Sequence, residues 1–288
     1  MGSILAEGSR PETADFLIAV FFALVLFCAR FILDTFIYQP LSVQFVCGRF
    51  IPAKIDEAKR AKIIKCCESL WKLTYYISVQ LWVFSIMKEG PSPLNTKAYL
   101  DGWPNQELKV SVKLFYMCQC GFYLYSIGAL LIWETRRKDF GIMMSHHIIT
   151  SLLIGYSFLT SFFRIGSVIL ALHDASDVFM ETAKVFKYSE KELAASVCFG
   201  LFAISWLLLR LIFFPFWIIK TSSYHSFQYL KSPEGFPRTL YYGVNTMLLS
   251  LLIFHIYWWV LICSMIKRQL SNKGQVGEDI RSDSEGDD

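Results

Sequence analysis

Hydrophobic residues fill long stretches of this chain, separated by short polar segments. Seven stretches approach the about 20 mostly apolar residues that a helix needs to cross roughly 30 Å of hydrocarbon. The predicted spans are approximately residues 16–38, 70–87, 110–133, 141–159, 165–186, 194–219 and 240–266. The pattern therefore predicts an all-α membrane protein, a bundle of about seven transmembrane helices, in which the fourth and fifth spans are the least apolar.

Basic residues orient the predicted bundle. The segments after the first, third, fifth and seventh spans hold twice as many Lys and Arg as the segments on the other side. Because loops rich in these residues stay cytosolic, the N-terminus is predicted to be lumenal or extracellular and the C-terminus cytosolic. Residues 1–67 hold the first span and a basic cytosolic loop, and residues 68–270 hold six spans. Residues 271–288 form an acidic tail that is predicted to be disordered, where Ser282 and Ser284 are either kinase sites or part of a solvated tail.

The composition supports a membrane-embedded chain. Of the 288 residues, 54% are hydrophobic and 18% are charged, and the mean hydropathy is +0.41. The aromatic share of 16% fits lipid contact and interfacial belts. The net charge of +4 is small and does not imply a nucleic-acid partner.

The eight cysteines are scattered and indicate no disulfide framework. Cys118 and Cys120 are too close together for a zinc-ribbon pair, and their apolar surroundings predict that they pack as small hydrophobic residues. Cys66 and Cys67 follow a basic stretch, which permits S-palmitoylation as well as ordinary free thiols.

Five of the ionisable side chains inside the fourth and fifth predicted spans form the candidate cluster, at positions where a charged group costs roughly 2.5–3.5 kcal/mol to insert. They are His146 and His147 on the fourth span and His173, Asp174 and Asp177 on the fifth. His173 and Asp177 are four residues apart and therefore share a helix face. Because such groups are rare in membranes unless they face a cavity or a partner, these five are the candidate site.

The two sets of polar residues are predicted to lie at similar depth. His146 follows Arg137 by nine residues, about 13 Å at 1.5 Å per residue, and Asp177 precedes Lys184 by seven, about 10 Å. Both basic residues mark cytosolic helix ends. One cavity open to the cytosol is therefore expected to bring the imidazoles and carboxylates together.

Alternatives stay open for these five residues and for Thr150 and Arg210. A single His or Asp could bond a neighbouring helix, and Thr150 could bond its own backbone. His and Asp also bind zinc or iron, which would make the protein a metal-dependent intramembrane lipid enzyme. Arg210 in the sixth span could snorkel, pair with a carboxylate or anchor a substrate head group.

Other polar residues receive simpler interpretations. Arg30 and Asp34 are four residues apart on the first helix and can neutralise each other. His225 is predicted to be solvated or interfacial in a lumenal loop. His255, beside Trp258, is predicted to be a packed interfacial residue.

The chain resembles the ceramide synthases, a family with a TLC domain and a Lag1 motif. The resemblance is carried by RRKDF at 136–140, HHIIT at 146–150, ALHDASD at 171–177 and the following AKVFKY. It covers roughly residues 68–270 and implies the TLC fold. The runs GWPNQELK at 102–109 and YMCQCGFYLY at 116–125 are similar to the plant sphingoid-base N-acyltransferases in particular.

The resemblance implies transfer of a fatty acyl group from acyl-CoA to the amine of a sphingoid base, giving ceramide and CoA. An imidazole can take the amine proton or attack the thioester to form an acyl-imidazole. His146 is the expected nucleophile or base and His147 its partner. Asp174 and Asp177 are expected to orient or stabilise the imidazolium, with His173 packed beside them.

The resemblance also implies the surroundings of the reaction. The expected partners are membrane lipids, acyl-CoA as co-substrate and the sphingoid base, with no other cofactor and no metal, in the endoplasmic reticulum membrane as a homo- or heterodimer. Arg136, Arg137 and Lys138 are expected to bind the CoA phosphates, although positive-inside topology alone also explains them. The loop at 221–238 is expected to influence acyl chain length. The rival interpretation is a lipid-binding TLC protein without catalysis.

Overall fold

A computed structural model describes residues 10–48, 56–88, 95, 98–103, 105–225, 238–271 and 277. Every regular element within these ranges is helical, which confirms the predicted all-α class. The helices are α1 (Phe16–Leu33), α2 (Gln39–Cys47), α3 (Glu57–Met87), α4 (Val110–Ile132), α5 (Phe140–Leu159), α6 (Phe163–Tyr188), α7 (Glu192–Ser205) and α8 (Arg238–Ser271). A 3-10 turn covers Thr13–Asp15, and π-helices cover Asp34–Tyr38, Trp206–Ile219 and Thr221–His225.

Two of the predicted spans belong to longer helical segments. The π-helix at Asp34–Tyr38 joins α1 to α2 without a break, and Pro40, which has no N–H to donate, stands directly after it at the start of α2. Helix α3 begins at Glu57, well before the predicted membrane boundary at residue 70. The apolar pattern marks the lipid-buried part of a helix, whereas the helix itself continues into water.

Five segments within the described ranges are long and apolar enough to cross a membrane. They are Thr13–Cys47, Val110–Ile132, Phe140–Leu159, Glu192–Tyr224 and Tyr241–Ser271. Helices α3 and α6, with 31 and 26 residues, are about 46 and 39 Å long and so have the length to cross. Their polar residues keep them below the apolar level of the other five, and the count of seven spans stays a prediction.

Neighbouring helices pack along the bundle in pairs. Helix α1 packs on α4, α3 packs on α6, and α6 also packs on α7, while α5 contacts both α4 and α8. Many large apolar side chains point outward, such as Phe36 at 75% and Leu193 at 80% exposure. An outward apolar surface of this kind is expected where lipid replaces water.

A tight turn keeps α5 and α6 side by side. Ser161 adopts the left-handed conformation at φ 61°, and the amide of Phe162 donates to the carbonyl of Ser157. The chain reverses within three residues, so the two helices are antiparallel neighbours. This turn brings the histidines of α5 next to the polar residues of α6.

The cysteines singled out by the sequence are buried. Cys118 and Cys120 pack within α4, as predicted. Cys66 and Cys67, in the N-terminal part of α3, are also buried, with 0% and 8% exposure. Burial raises the pKa of the Cys66 thiol to about 11. A buried thiol of this kind is a poor acceptor for an acyl chain, so the structure favours free thiols over S-palmitoylation.

Candidate active site

His146 and His147 lie in an aromatic surrounding on α5. The His146 ring is 8% exposed and its centroid lies 5.2 Å from that of Trp258. The Tyr123 ring of α4 contacts both, at 6.5 Å from His146 and 5.5 Å from His147. Within the described chain, Nδ1 of each histidine is buried and has no hydrogen-bond partner. The two rings are therefore held by packing and keep nitrogen atoms available for chemistry.

His173 on α6 uses both of its ring nitrogens. Nδ1 lies 2.6 Å from the carbonyl oxygen of Ile169 and must donate to it, because a carbonyl only accepts. In the neutral ring Nε2 is then an acceptor, and it lies 2.9 Å from Nε2 of His255 on α8. His173 is thus engaged on both sides, which favours His146 and His147 as the reacting imidazoles.

His255 is not interfacial, and that prediction was wrong. Its side chain is fully buried, with 0% exposure, between α6 and the π-helix Trp206–Ile219. The indole N–H of Trp206 donates to the backbone carbonyl of His255 at 3.2 Å. The neighbouring tryptophans that suggested a membrane interface instead line the interior of the bundle.

Asp177 forms a buried ion pair with Arg210. Nη2 of Arg210 lies 2.8 Å from Oδ1 of Asp177 and also donates to the backbone carbonyl of His173 at 2.6 Å. The guanidinium carbon stands 4.0 Å from the centroid of the Trp206 ring. Of the three interpretations for Arg210, pairing with a carboxylate is confirmed. The Arg30–Asp34 pair also forms, at 2.6 Å.

The Asp174 carboxylate belongs to a second set of hydrogen-bonded polar side chains. Nε2 of Gln119 on α4 donates to Oδ2 of Asp174 at 2.6 Å, and the hydroxyl of Tyr75 on α3 donates to the Gln119 amide oxygen at 3.1 Å. All three side chains are buried. These hydrogen bonds link α3, α4 and α6 at the depth of the site.

The end of the site near the loop between α4 and α5 is charged. Glu134, directly after α4, pairs with Lys72 of α3 at 2.9 Å. Burial acts to raise the pKa of the Glu134 carboxyl, but the Lys72 ammonium and its hydrogen bond outweigh it and hold the pKa below its usual value. The charges of Lys72 and Glu134 also act on His147.

Three basic residues follow at the same end. Arg136, Arg137 and Lys138 lie in the loop between α4 and α5, where Arg136 and Lys138 are exposed. The Arg136 guanidinium stands 4.4 Å from the centroid of the Phe140 ring. Asp139, the next residue, accepts a hydrogen bond from the indole of Trp258 at 3.0 Å and is buried. The loop thus exposes Arg136 and Lys138 and anchors Asp139 inside the bundle.

Of the candidate residues, His173 lines an apolar cavity, which spans about 810 Å³ including space open to its surroundings. One end is lined by Tyr123, Thr150 and His173. From there it runs between α5, α6 and α8 towards the start of α8, where Tyr241 and Leu100 line it. The almost entirely apolar lining suits a hydrocarbon chain.

The predicted residues are neighbours, but they are not paired as imidazole with carboxylate. His146 lies within electrostatic range of His147, His173 and Arg210. The hydrogen bonds of Asp174 and Asp177 go to Gln119 and Arg210 instead. Within the described ranges, no group of three or more His, Cys, Asp or Glu side chains has the arrangement of a metal site.

Gln119 and His255 are the site residues that sequence analysis missed. Gln119 sits in an apolar run on α4, where an amide needs a partner, and that was a readable signal. His255 gave the same signal, but its aromatic neighbours pointed to an interface. Only the packing of α8 against α6 reveals its partner.

Comparison with known proteins places the chain among close relatives. The sequence pattern of the family described as TLC domain matches residues 65–264. ASC1-like protein 3 of Oryza sativa subsp. japonica is 63% identical over 276 residues, 96% of this chain and 97% of that protein. Ceramide synthase LOH2 of Arabidopsis thaliana is 58% identical, with complete coverage of both chains. Ceramide synthase 1 LOH3 of the same plant is 45% identical over 97% of this chain and 94% of its own length.

Proposed function

The chain belongs to the TLC-domain family, together with the plant proteins named ceramide synthase, and we propose that it is itself a ceramide synthase. It transfers the acyl group of a fatty acyl-CoA to the amine of a sphingoid base. Identity of 58% over the full length of a relative with that name carries the proposal. The alignment has no missing segment, so every helix of the site is included.

The cavity supports an acyl chain as one of the ligands. Its walls are almost entirely apolar, and its one end lies at Tyr123, Thr150 and His173, beside the paired histidines. A fatty acyl chain lying in this space places its carbonyl carbon near His146. The CoA portion then extends to the cytosolic side, where Arg136, Arg137 and Lys138 can bind its phosphates.

The free ring nitrogens support covalent catalysis. A nitrogen of His146 attacks the thioester carbonyl carbon, the C–S bond breaks, and CoA leaves as the thiolate. The sphingoid amine then attacks the acyl-imidazole carbon, the C–N bond to the ring breaks, and the amide forms. The proton lost by the amine balances the thiolate, so the products are ceramide and CoA. His147 acts as the partner that accepts and passes on protons.

Asp177 and Asp174 act indirectly, by holding in place the helices around the reacting histidines. Asp177 holds Arg210, which also binds the backbone of His173, and Asp174 holds Gln119. Their carboxylates keep α6 in register with α4 and the π-helix. We place the protein in the endoplasmic reticulum membrane with its N-terminus in the lumen and its C-terminus in the cytosol.

The test uses purified protein in lipid nanodiscs with an acyl-CoA and sphinganine, followed by mass spectrometry of the lipids. Wild-type protein is expected to form the N-acylated base. His146→Ala is expected to lose activity by at least about 100-fold, the loss typical of removing a general base or nucleophile. Ser145→Ala is the matched control, because Ser145 is exposed and bonds only its own helix.

The covalent step has its own readout. Intact-protein mass spectrometry after incubation with acyl-CoA alone is expected to show one added acyl group, absent from His146→Ala. Product formation without any such adduct in rapid-quench samples would support direct attack by the amine. A wild-type protein that binds acyl chains but forms no ceramide would instead indicate a lipid-binding role.

A further inference from the structure

The hydroxyl of Thr150 is an exception among the serine and threonine side chains described on α5. The hydroxyls of Ser145, Ser151 and Thr160 donate to the carbonyl four residues earlier, at 2.8, 2.8 and 2.7 Å. Thr150 is only 6% exposed, yet within the described chain its Oγ1 has no hydrogen-bond partner. The expectation that Thr150 bonds its own backbone is therefore wrong. A buried hydroxyl without a partner is costly and calls for an explanation.

The position of Thr150 suggests what its hydroxyl serves. Thr150 lies four residues after His146 on α5, one turn away on the same face. It lines the apolar cavity, and Tyr123 lines the cavity from α4 beside it. Both residues carry a hydroxyl group and line the same cavity, and the Tyr123 ring also contacts the two histidine rings.

We propose that the hydroxyls of Thr150 and Tyr123 form the oxyanion site that stabilises the thioester carbonyl during acyl transfer. The inference rests on the proposed function. When the histidine nitrogen attacks the carbonyl carbon, the C=O electron pair moves to oxygen and leaves a negative charge there. Both hydroxyls donate to this oxygen until the C–S bond breaks and the carbonyl re-forms.

Other donors near the reacting carbon are already used. Backbone amides in the middle of α5 donate within the helix. Arg210 is bound to Asp177 and to the backbone of His173, and His173 has both ring nitrogens engaged. A side-chain hydroxyl on the cavity wall is the donor that a fatty acyl thioester can reach. A group left unpaired in the free protein gains its partner only when substrate reacts, which is how binding energy lowers a barrier.

The experiment measures kcat and KM for acyl-CoA in variants that remove one hydroxyl while keeping shape. Thr150→Val and Tyr123→Phe are each expected to lower kcat by about 100-fold, the loss typical for one oxyanion donor, with little change in KM. Thr150→Ser keeps the hydroxyl and is expected to retain most of the activity. Thr160→Val is the matched control, because the Thr160 hydroxyl bonds a backbone carbonyl away from the cavity.

Each result has a defined meaning. Wild-type kcat in both Thr150→Val and Tyr123→Phe overturns the inference while leaving ceramide synthesis intact. An equal loss in Thr150→Ser and Thr150→Val also overturns it, because the methyl group rather than the hydroxyl would then matter. Absence of product from the wild-type protein would contradict the proposed function itself. If Thr150→Val does not fold, which a thermal melt detects, Tyr123→Phe and Thr150→Ser decide the question.

Discussion

Single residues hold the site in place through buried polar contacts that cross between helices. His173 receives a contact on each side, from the carbonyl of Ile169 and from His255. Asp177 and Asp174 each have one strong partner, Arg210 and Gln119. Because water does not compete inside the bundle, each contact fixes both of its members, and removing one member leaves the other buried and unsatisfied.

Removing the imidazole of His255 is predicted to weaken the bundle at the site. His255→Phe leaves Nε2 of His173 without its donor, which should cost about 1–3 kcal/mol in the free energy of unfolding. His255→Gln, which can supply an N–H in the same direction, should recover part of this. Thermal melts in detergent compare the two variants with the wild-type protein. Equal stability of His255→Phe and the wild-type protein would contradict the role assigned to this pair.

The buried ion pair is predicted to show strong coupling. Arg210→Met leaves Asp177 without its partner and should destabilise the protein by about 3–5 kcal/mol. Arg210→Met combined with Asp177→Leu removes both charges and should be more stable than Arg210→Met alone. The measurement is the thermal melting temperature of the two single variants and the double variant. Simple additivity of the single effects would show that the charges do not interact.

Sequence predicts candidate site residues but not their partners. Burial of a histidine or aspartate in an apolar span is visible in the sequence because the cost of inserting it is high. The contact between His173 and His255 is not visible, since 82 residues separate them and α8 can present any face to α6. Pairing of Asp177 with Arg210 was one open alternative for the same reason. Rotation of each helix about its axis decides these contacts, and the apolar pattern alone fixes that rotation poorly.

At the level of helices, α1 and α4 approach each other closely at one glycine. A Cβ atom on Gly121 would lie 2.6 Å from the carbonyl oxygen of Ala19 and 2.8 Å from Cβ of Phe22. Neither atom belongs to the flexible end of a side chain, so the helices themselves would have to move. Small residues at such contacts are typical of membrane helix pairs.

Gly121→Ala is therefore predicted to destabilise the protein by about 1–3 kcal/mol, the usual cost of overpacking. Gly128→Ala on the same helix is the control, because a Cβ there meets nothing within 4 Å. Thermal melts of the two variants in the same detergent give the comparison. A melting temperature unchanged by Gly121→Ala would mean that α1 and α4 are further apart than described.

Helix positions were predicted well, and the number of crossings less well. The bounds of α4, α5 and α6 lie within about two residues of the predicted spans, because an apolar run ends where the chain meets water. Helices α3 and α6 carry polar residues, such as Lys72 and Asp174, that serve the interior of the bundle. The same residues lower the apolar character by which a span is recognised. A helix that contributes polar residues to the site is therefore the hardest to recognise as a membrane span.

The cavity depends on several helices at once, because α4, α5, α6, α8 and the π-helices before α8 all contribute to its lining. One face of α8 lines it from the start of the helix to its middle, through Tyr241, Val244, Leu248 and Leu251. Val244→Trp is predicted to fill the end farthest from His146 and to shift the products towards shorter acyl chains. Mass spectrometry of ceramides formed from an equal mixture of acyl-CoAs measures the shift.

Leu249→Trp is the control for that substitution. Leu249 is 50% exposed on the opposite face of α8, so a tryptophan there should contact lipid and leave the product distribution unchanged. The same shift in both variants would indicate a general effect on the helix. No shift in Val244→Trp would mean that the acyl chain lies outside this cavity.

The predicted topology of the whole chain can be tested at α3 and α6, the two helices whose membrane crossing is hardest to recognise from the apolar pattern. The sequence contains no Asn-x-Ser/Thr acceptor of its own, so inserted acceptors report only their own positions. With seven spans, acceptors placed before residue 10 and in the loop between α3 and α4 should both be glycosylated in microsomes. An acceptor after residue 271 should not be modified.

The loop between α3 and α4 carries the decisive result. If α3 and α6 did not cross, the termini would still lie on opposite sides, and only the acceptors in the intermediate loops would change sides. Loss of glycosylation in the α3–α4 loop would therefore contradict crossing by α3, even with both terminal acceptors as expected. Because α3 contributes Tyr75 and Lys72 to the interior contacts, its crossing is also what keeps Asp174 and Glu134 satisfied at their depths.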